Sequence, residues 1–402
     1  MKTLLTVSLV LLAAVLVLLL ADIIPMLRRW LSRIHIGQWE DEEEWKTKVE
    51  KSLLKQLRHA PSVPVSDNTR LTFIERLRGT YTSKNIQSWQ EAALLLGANE
   101  MHKQKAVDGQ IKEFIGRRIN PVSGEWQDCH EKVDTAMLAF AILSSPVSDK
   151  QKIKPAMDST AKMLLDLAER YATIPYNNSV PNVRFVDTVG MICPFLFKYG
   201  LAYDCERAIE TAKRQITESI DWGIHPVQKL PAHCFNVHSR APLGIYGWGR
   251  GGGWIAIGLM DSYLSLLTAK NSNAMNTNNH NELKDYLMEQ MTSVAWALIR
   301  VQMDNGAWGR QIFINEAGES SATAMIAWFM GRMCYLTDNE QYKESADMAK
   351  NFLLESTRRN GTVDFAQGDT KGIGFYSTKL DAMPAAQGFT VRCFLGREND
   401  GR

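Results

Sequence analysis

The chain has 402 residues, 45% of them hydrophobic and 22% charged, which is enough apolar material for one large domain or two ordinary ones. Its 46 Lys and Arg against 44 Asp and Glu leave a formal net charge of +2, and no basic stripe interleaved with aromatics occurs, which argues against a nucleic-acid partner. The six cysteines (Cys129, Cys193, Cys205, Cys234, Cys334 and Cys393) form no CxxC pair, so they suggest neither a disulfide framework nor a zinc ribbon.

From Thr3 to Ala21 the chain carries no charge and is dominated by Leu, Val and Ala, a length that crosses a bilayer as a helix. Leu19 and Ala21 make a poor small-x-small cleavage site, which favours an uncleaved anchor over a signal peptide. Lys2 and the free amine precede the span, whereas Arg28, Arg29 and Arg33 follow it. The positive-inside rule therefore places the rest of the chain on the cytoplasmic side by one or two charges. The expected organisation is an anchor with basic flank over 1–35, a helical linker over 36–70 and a helical domain over 71–402.

The acidic run from Glu40 to Glu44 suits the solvated start of a helix that continues over Trp45–Leu57, and Ala60–Val65, with two prolines, breaks it. Apolar residues then return at spacings of three and four over Leu71–Leu77, Trp89–Met101, Lys132–Leu143, Lys154–Tyr171, Asp187–Lys198 and Glu206–Glu218. The same spacing recurs over Trp254–Leu267, Asn281–Gln302, Ser320–Tyr335 and Gln341–Glu355. Strand signals are few. Longer loops, Pro175–Asn182, Gly223–Pro242 and Asn305–Glu319, punctuate this series, and Asn271–Asn281 suggests a surface loop. That rhythm predicts an all-α ring of helical hairpins with functional loops gathered at one end. No repeat of fixed period supports a solenoid.

The segment Trp248-Gly249-Arg250-Gly251-Gly252-Gly253-Trp254 frames glycines with two indoles and a guanidinium, a surface suited to a flat anionic ligand such as a sugar acid. Gly247, Gly249 and Gly252 fit GxGxxG, but Pro242–Gly247 upstream looks like a loop and no βαβ unit follows, which disfavours a nucleotide. Asp187 and Asp134 each stand at the head of a strongly apolar helix. Two readings stay open for such a residue: a helix cap, or a carboxyl in an apolar pocket whose raised pKa lets it carry a proton near neutrality. His233 lies in loop residues close before the Trp-Gly-Arg segment. With Cys234 and His238 it makes only a crude metal cluster without a second ligand group. GxSxG and HExxH are absent.

With these residues in view, the chain resembles the unsaturated glycuronyl hydrolases of glycoside hydrolase families 105 and 88, and more closely their unsaturated rhamnogalacturonyl hydrolase branch. The resemblance rests on Val186-Asp187-Thr188 running into Met191 and Pro194-Phe195-Leu196, on Pro231-Ala232-His233, and on Gly247–Arg250 through Gly253-Trp254. It continues in Gly306-Ala307-Trp308, Glu319–Met325, Gly372-Ile373-Gly374, Pro384 and Gln387-Gly388, and leaves the first seventy residues outside. It implies an (α/α)6 barrel. It also implies removal of a 4,5-unsaturated uronic acid from the non-reducing end of lyase-generated oligosaccharides by hydration of a vinyl ether. By that resemblance Asp187 is the general acid/base, Asp134 is the second active-site aspartate that holds the sugar, and His233, Trp248, Arg250 and Trp254 line the substrate pocket. Arg250 would meet the uronate carboxylate and the indoles would stack, with no metal or organic cofactor required. In the middle of this segment stand three glycines, Gly251 to Gly253, where the family often has a larger polar residue among them, which bears on sugar preference. Two other readings are an inverting glycosidase with Asp134 and Asp187 as acid and base, and a membrane-anchored uronate-binding protein without turnover.

Overall fold

A helix without a polar face is stable only when protein surrounds it, and this chain contains several. All nine residues of Thr135–Leu143 are buried, as are Trp89 through Ala98 in succession. The computed structural model describes residues 2–61, 63, 67, 77, 86–102, 105–128, 131–268, 277–314, 317–370 and 372–400. The helix expected over 71–77, apart from Leu77, falls outside them, as does Cys129.

The helices are α1 (Lys2–Ser32), α2 (Glu42–Arg58), α3 (Ser88–Glu100), α4 (Lys105–Gly116), α5 (Thr135–Leu143), α6 (Lys154–Tyr171), α7 (Asp187–Ala202) and α8 (Glu206–Gly223). They continue as α9 (Gly249–Thr268), α10 (Thr277–Ile299), α11 (Ser320–Thr337), α12 (Glu340–Glu355) and α13 (Pro384–Asp400). Helices α3, α5, α7, α9, α11 and α13 form a closed ring, each touching the next and α13 returning to α3. Helices α4, α6, α8, α10 and α12 each pack outside the inner helix before them, and α2 covers α13 from outside to complete the second layer. This is an (α/α)6 barrel preceded by an apolar helix. The outer helices carry the single apolar stripe that such positions need, as in Ala208, Ile209, Ala212 and Ile216 of α8.

Segment 36–70 contributes α2, whose Trp45, Val49 and Leu53 are fully buried, with the Trp45 ring 5.3 Å from that of Phe394. Inner helices α3 and α13 cross at two glycines. A Cβ on Gly388 would lie 2.1 Å from the Ala93 carbonyl oxygen, and one on Gly97 would lie 2.5 Å from that of Gly388.

Several expectations need correction. Helices α4 and α13 were not among those expected from apolar spacing, and α9 begins at Gly249 rather than Trp254, so the glycines form its first turn. Residues from Thr277 onward are helical, not loop. Pro242–Tyr246 is a strand, β3, following β1 (Val183–Phe185) and β2 (Ala232–Asn236) in an antiparallel sheet of order β1-β2-β3. None of its residues is fully buried, so it lacks the signature of a core strand. The helix after Gly247 thus does follow a strand, but in an antiparallel sheet, and the βαβ context of a dinucleotide site is missing there. Strands β4 (Ala366–Gln367) and β5 (Leu380–Asp381) form a second small antiparallel pair.

Candidate active site

The inner helices run parallel, because each returns through an outer helix, and their N-terminal ends share one mouth of the barrel. A cleft of about 640 Å³ opens there, within the range of small-molecule sites. Its walls include Trp89 near the start of α3, Asp187 at the first position of α7 and Arg250 at the second position of α9. Helix N-termini carry partial positive charge, about half a unit each, and their convergence favours an anionic ligand.

Strand β1 delivers Asp187 to this place. Arg184 within it is locked by Thr173 Oγ1 and the carbonyls of Pro181, Val183 and Tyr171, and the Val186 N–H donates to the His233 carbonyl at 2.9 Å. Asp187 does not cap α7: Val186 holds the N-cap position and has no side-chain bond to the helix. Its Oδ2 is shut off from solvent and has no hydrogen-bond partner. Burial pushes its carboxyl from 3.8 up to about 6, against smaller opposing effects of its own backbone N–H and of Arg250.

Strand β2 sends successive residues to opposite faces. His233 accordingly enters the cleft while the Cys234 thiol turns toward the Leu243 carbonyl, so the two do not converge on a metal. The His233 ring packs against Phe185, Trp248 and Tyr376 with centroids 5.3, 4.8 and 5.2 Å away. Burial, helped by Arg250, lowers it to about 4, which keeps it neutral near pH 7, and its Nδ1 has no partner.

Arg250 is 3% exposed, donating through Nη1 to the Gln367 carbonyl at 2.8 Å and through Nη2 to that of Gly368 at 2.9 Å. Two of its five N–H donors are thereby spent on the protein, and its guanidinium lies 5.4 Å from the Trp248 ring centre and 5.8 Å from that of Trp89. Trp248 and Trp254 line the cleft but each exposes only 1% of its surface. Trp248 donates to Gln367 Oε1 at 2.9 Å, and Trp254 stands edge-on to Trp89. The more accessible aromatic faces belong to Tyr176, Phe185 and Phe375, which the sequence reading did not single out. The loop at Pro175–Asn182 signalled Tyr176 only as part of a polar and aromatic stretch.

Asp134 is buried one layer behind the cleft wall. It occupies the N-cap position of α5 without a side-chain cap bond, and its carboxylate faces the backbone amides of Ser88 and Trp89 at the start of α3. Burial raises its pKa, opposed by Lys132 and those amides. Burial pushes the Tyr176 hydroxyl far above its ordinary pKa, and the nearby carboxylates of Asp134, Asp187 and Asp369 add to the rise. A further acid at this end, Glu319, is consumed structurally: its carboxylate accepts from the backbone N–H groups of Ser321, Ala322 and Gln367 at 2.9, 2.7 and 2.8 Å.

The cleft at the helix N-terminal mouth of the (α/α)6 barrel thus gathers a carboxyl of raised pKa, a neutral imidazole and an arginine among aromatic side chains. The chain belongs to glycosyl hydrolase family 88, whose family model matches residues 71–389, and it is therefore a glycosidase by family. A search of curated proteins gave no match. Among solved structures, a possible member of the GH105 family from Klebsiella pneumoniae aligns with a TM-score of 0.70 at 17% identity, covering 90% of this chain and 95% of that one. A family 105 glycoside hydrolase from C. acetobutylicum aligns at 0.65 and 16% identity over 79% of this chain and 96% of its own. An unsaturated glucuronyl hydrolase from Bacillus sp. GL1, described as responsible for the degradation of glycosaminoglycan, aligns at 0.59 and 14% identity over 88% and 95%. At these identities the likeness speaks for the fold.

Proposed function

We propose that the protein removes a 4,5-unsaturated uronic acid from the non-reducing end of lyase-generated oligosaccharides, with rhamnogalacturonan or pectin fragments as the favoured source. The observation that carries this reading is Asp187: one carboxyl held near a pKa of about 6, with an unpartnered oxygen at the cleft floor. Vinyl ether hydration needs such a group twice. Protonated Asp187 delivers its proton to C4 of the double bond. The resulting carboxylate then takes a proton from the water that adds at C5. The product is a hemiketal; its ring opens to a C5 ketone, and C1 releases the rest of the oligosaccharide as an alcohol. Neutral His233 orients the sugar or the water through a ring nitrogen. Arg250 and the converging helix N-termini hold the uronate carboxylate. Asp134, seated on the amides of Ser88 and Trp89, holds the Trp89 wall against which the sugar lies. The glucuronyl hydrolase activity named for the Bacillus relative supports the same substrate class.

Helix α1 supports a retained membrane anchor. Its first two-thirds are exposed and strongly apolar, while its far end is bonded to the barrel through Arg29 and Asp381 at 2.9 Å. The charge bias around the span favours the cytoplasmic side for the barrel.

The test follows the ultraviolet absorbance of the conjugated enol ether while purified protein acts on lyase digests of rhamnogalacturonan, pectin and glycosaminoglycan. Loss of absorbance on the rhamnogalacturonan or pectin digest is the expected result. Flat traces on all three digests, or cleavage of saturated oligosaccharides instead, would overturn the reading.

A further inference from the structure

The basic residues after the apolar span do more than flank it. Arg33 forms a fork onto Asp364, through Nε to Oδ2 at 2.8 Å and Nη2 to Oδ1 at 2.9 Å, and its Nη2 also donates to the Leu380 carbonyl of β5 at 3.0 Å. Its guanidinium covers the Phe365 ring at 4.7 Å. Asp364 is fully buried and shared with Arg358, which bridges it to Asp381, and Arg29 closes the group from α1.

What Arg33 grips is the root of β4. Phe365 has φ of +59°, a left-handed conformation that an aromatic residue keeps only where its surroundings impose it. The next two residues form β4, whose partner β5 carries Leu380 and Asp381. Gln367 of β4 then meets the cleft at three points: its side chain accepts from Trp248, its N–H donates to Glu319, and its carbonyl, with that of Gly368, accepts from Arg250. Five residues of one short segment, Asp364 to Gly368, thus link the end of α1 without a break to the two side chains at the heart of the cleft.

We infer that Arg33 is a positioning residue for substrate binding: by fixing the Asp364–Gly368 segment it sets Trp248 and Arg250 in place, so that the end of the N-terminal helix and the uronate-binding wall act as one unit. The inference rests on the proposed uronate site and adds a residue outside the matched family region. Arg33 itself touches neither sugar nor the reacting atoms.

The experiment uses the full chain in detergent, as wild type, Arg33→Gln, Arg33→Lys, and Arg207→Gln as a control that removes an exposed ion pair elsewhere. Each is assayed on unsaturated digalacturonate, and hydrogen exchange is followed over residues 364–370. Arg33→Gln should raise KM about tenfold with kcat changed less than about threefold, and should speed exchange in that segment. Arg33→Lys, which keeps the charge but loses the fork, should fall between, and Arg207→Gln should match wild type. Unchanged exchange would overturn the inference. So would faster exchange with KM within about twofold of wild type, since that marks a merely structural contact. If the wild type itself fails on unsaturated substrate, the proposed activity falls on its own. Binding of D-galacturonate by calorimetry then replaces KM as the readout, and equal affinity in wild type and Arg33→Gln would again refute the role of Arg33.

Discussion

Replacing Asp187 by Asn separates what this residue does for stability from what it does for chemistry. In the folded protein its carboxyl ionises near pH 6, against 3.8 for an ordinary aspartate. Between those values the native state holds a proton that the unfolded chain has released, so stability falls as pH rises through that window and stays low above it. Two units correspond to about 3 kcal/mol of destabilisation at neutral pH. Asparagine has nearly the same shape and never ionises, so the cost disappears. The variant should be more stable than wild type by about 2 to 3 kcal/mol at pH 7.5, and the gain should shrink to near zero below pH 4. Urea unfolding of both proteins in detergent at pH 4, 5.5 and 7.5 measures this directly. Turnover of unsaturated substrate should meanwhile fall at least a hundredfold, roughly what a lost general acid/base costs. An Asn variant that is less stable at pH 7.5, or whose gain does not depend on pH, would refute the buried, proton-holding carboxyl. Activity within about tenfold of wild type would refute its catalytic role.

Other outcomes follow from the same geometry. The rate should fall as pH rises through about 6, because the first proton transfer needs protonated Asp187, whereas His233, held near 4, should contribute no limb between pH 5 and 8; a rate that climbs from pH 6 to 8 would contradict this. Arg250→Ala removes a charged donor and releases the carbonyls of Gln367 and Gly368, so KM should rise about ten- to a hundredfold, and an unchanged KM in steady-state kinetics would rule out a carboxylate anchor. At the opposite mouth of the barrel, Arg392 forks onto buried Asp261 at 2.9 and 2.6 Å and lies 3.7 Å from the Trp328 ring centre. Arg392→Ala strands that carboxylate and should cost about 3 to 5 kcal/mol in urea unfolding, much of it recovered when Asp261→Asn is added; a loss below about 1 kcal/mol would show that Asp261 finds another partner.

The helices were legible where their environment is uniform. The outer layer shows one apolar stripe at helical spacing, and the inner layer shows helices apolar all round, which only a closed ring can cover. Helix α13 was harder to see because its buried face includes Thr390 together with Gln387 and Arg392, and the partners of the latter two come from distant segments. Strand β3 was missed because Pro242 and Gly244 imitate a loop, and its side chains lack the burial that marks a core strand. At the site, Asp187 and His233 could be found because a polar side chain set in apolar sequence is costly unless it has work to do. Tyr176 and Phe375 could not. They sit in loops whose sequences resemble any other, and only the closure of the barrel brings them to one rim.

The same closure suits the proposed chemistry to this mouth and not the other. A ring of parallel inner helices places all its N-termini at one end and all its C-termini at the other. The cationic side chains Lys198, Arg332 and Arg392 gather around a second cavity at the C-terminal mouth, where they face the negative helix ends and the acids Glu100 and Asp261. The N-terminal mouth needs little positive charge from side chains to attract an anion, and among the described cleft-lining residues Arg250 is the one arginine or lysine. That economy leaves the site apolar enough to hold Asp187 near a pKa of 6. A second arginine beside Asp187 would favour its ionised form and leave too little of the acid that the first proton transfer requires.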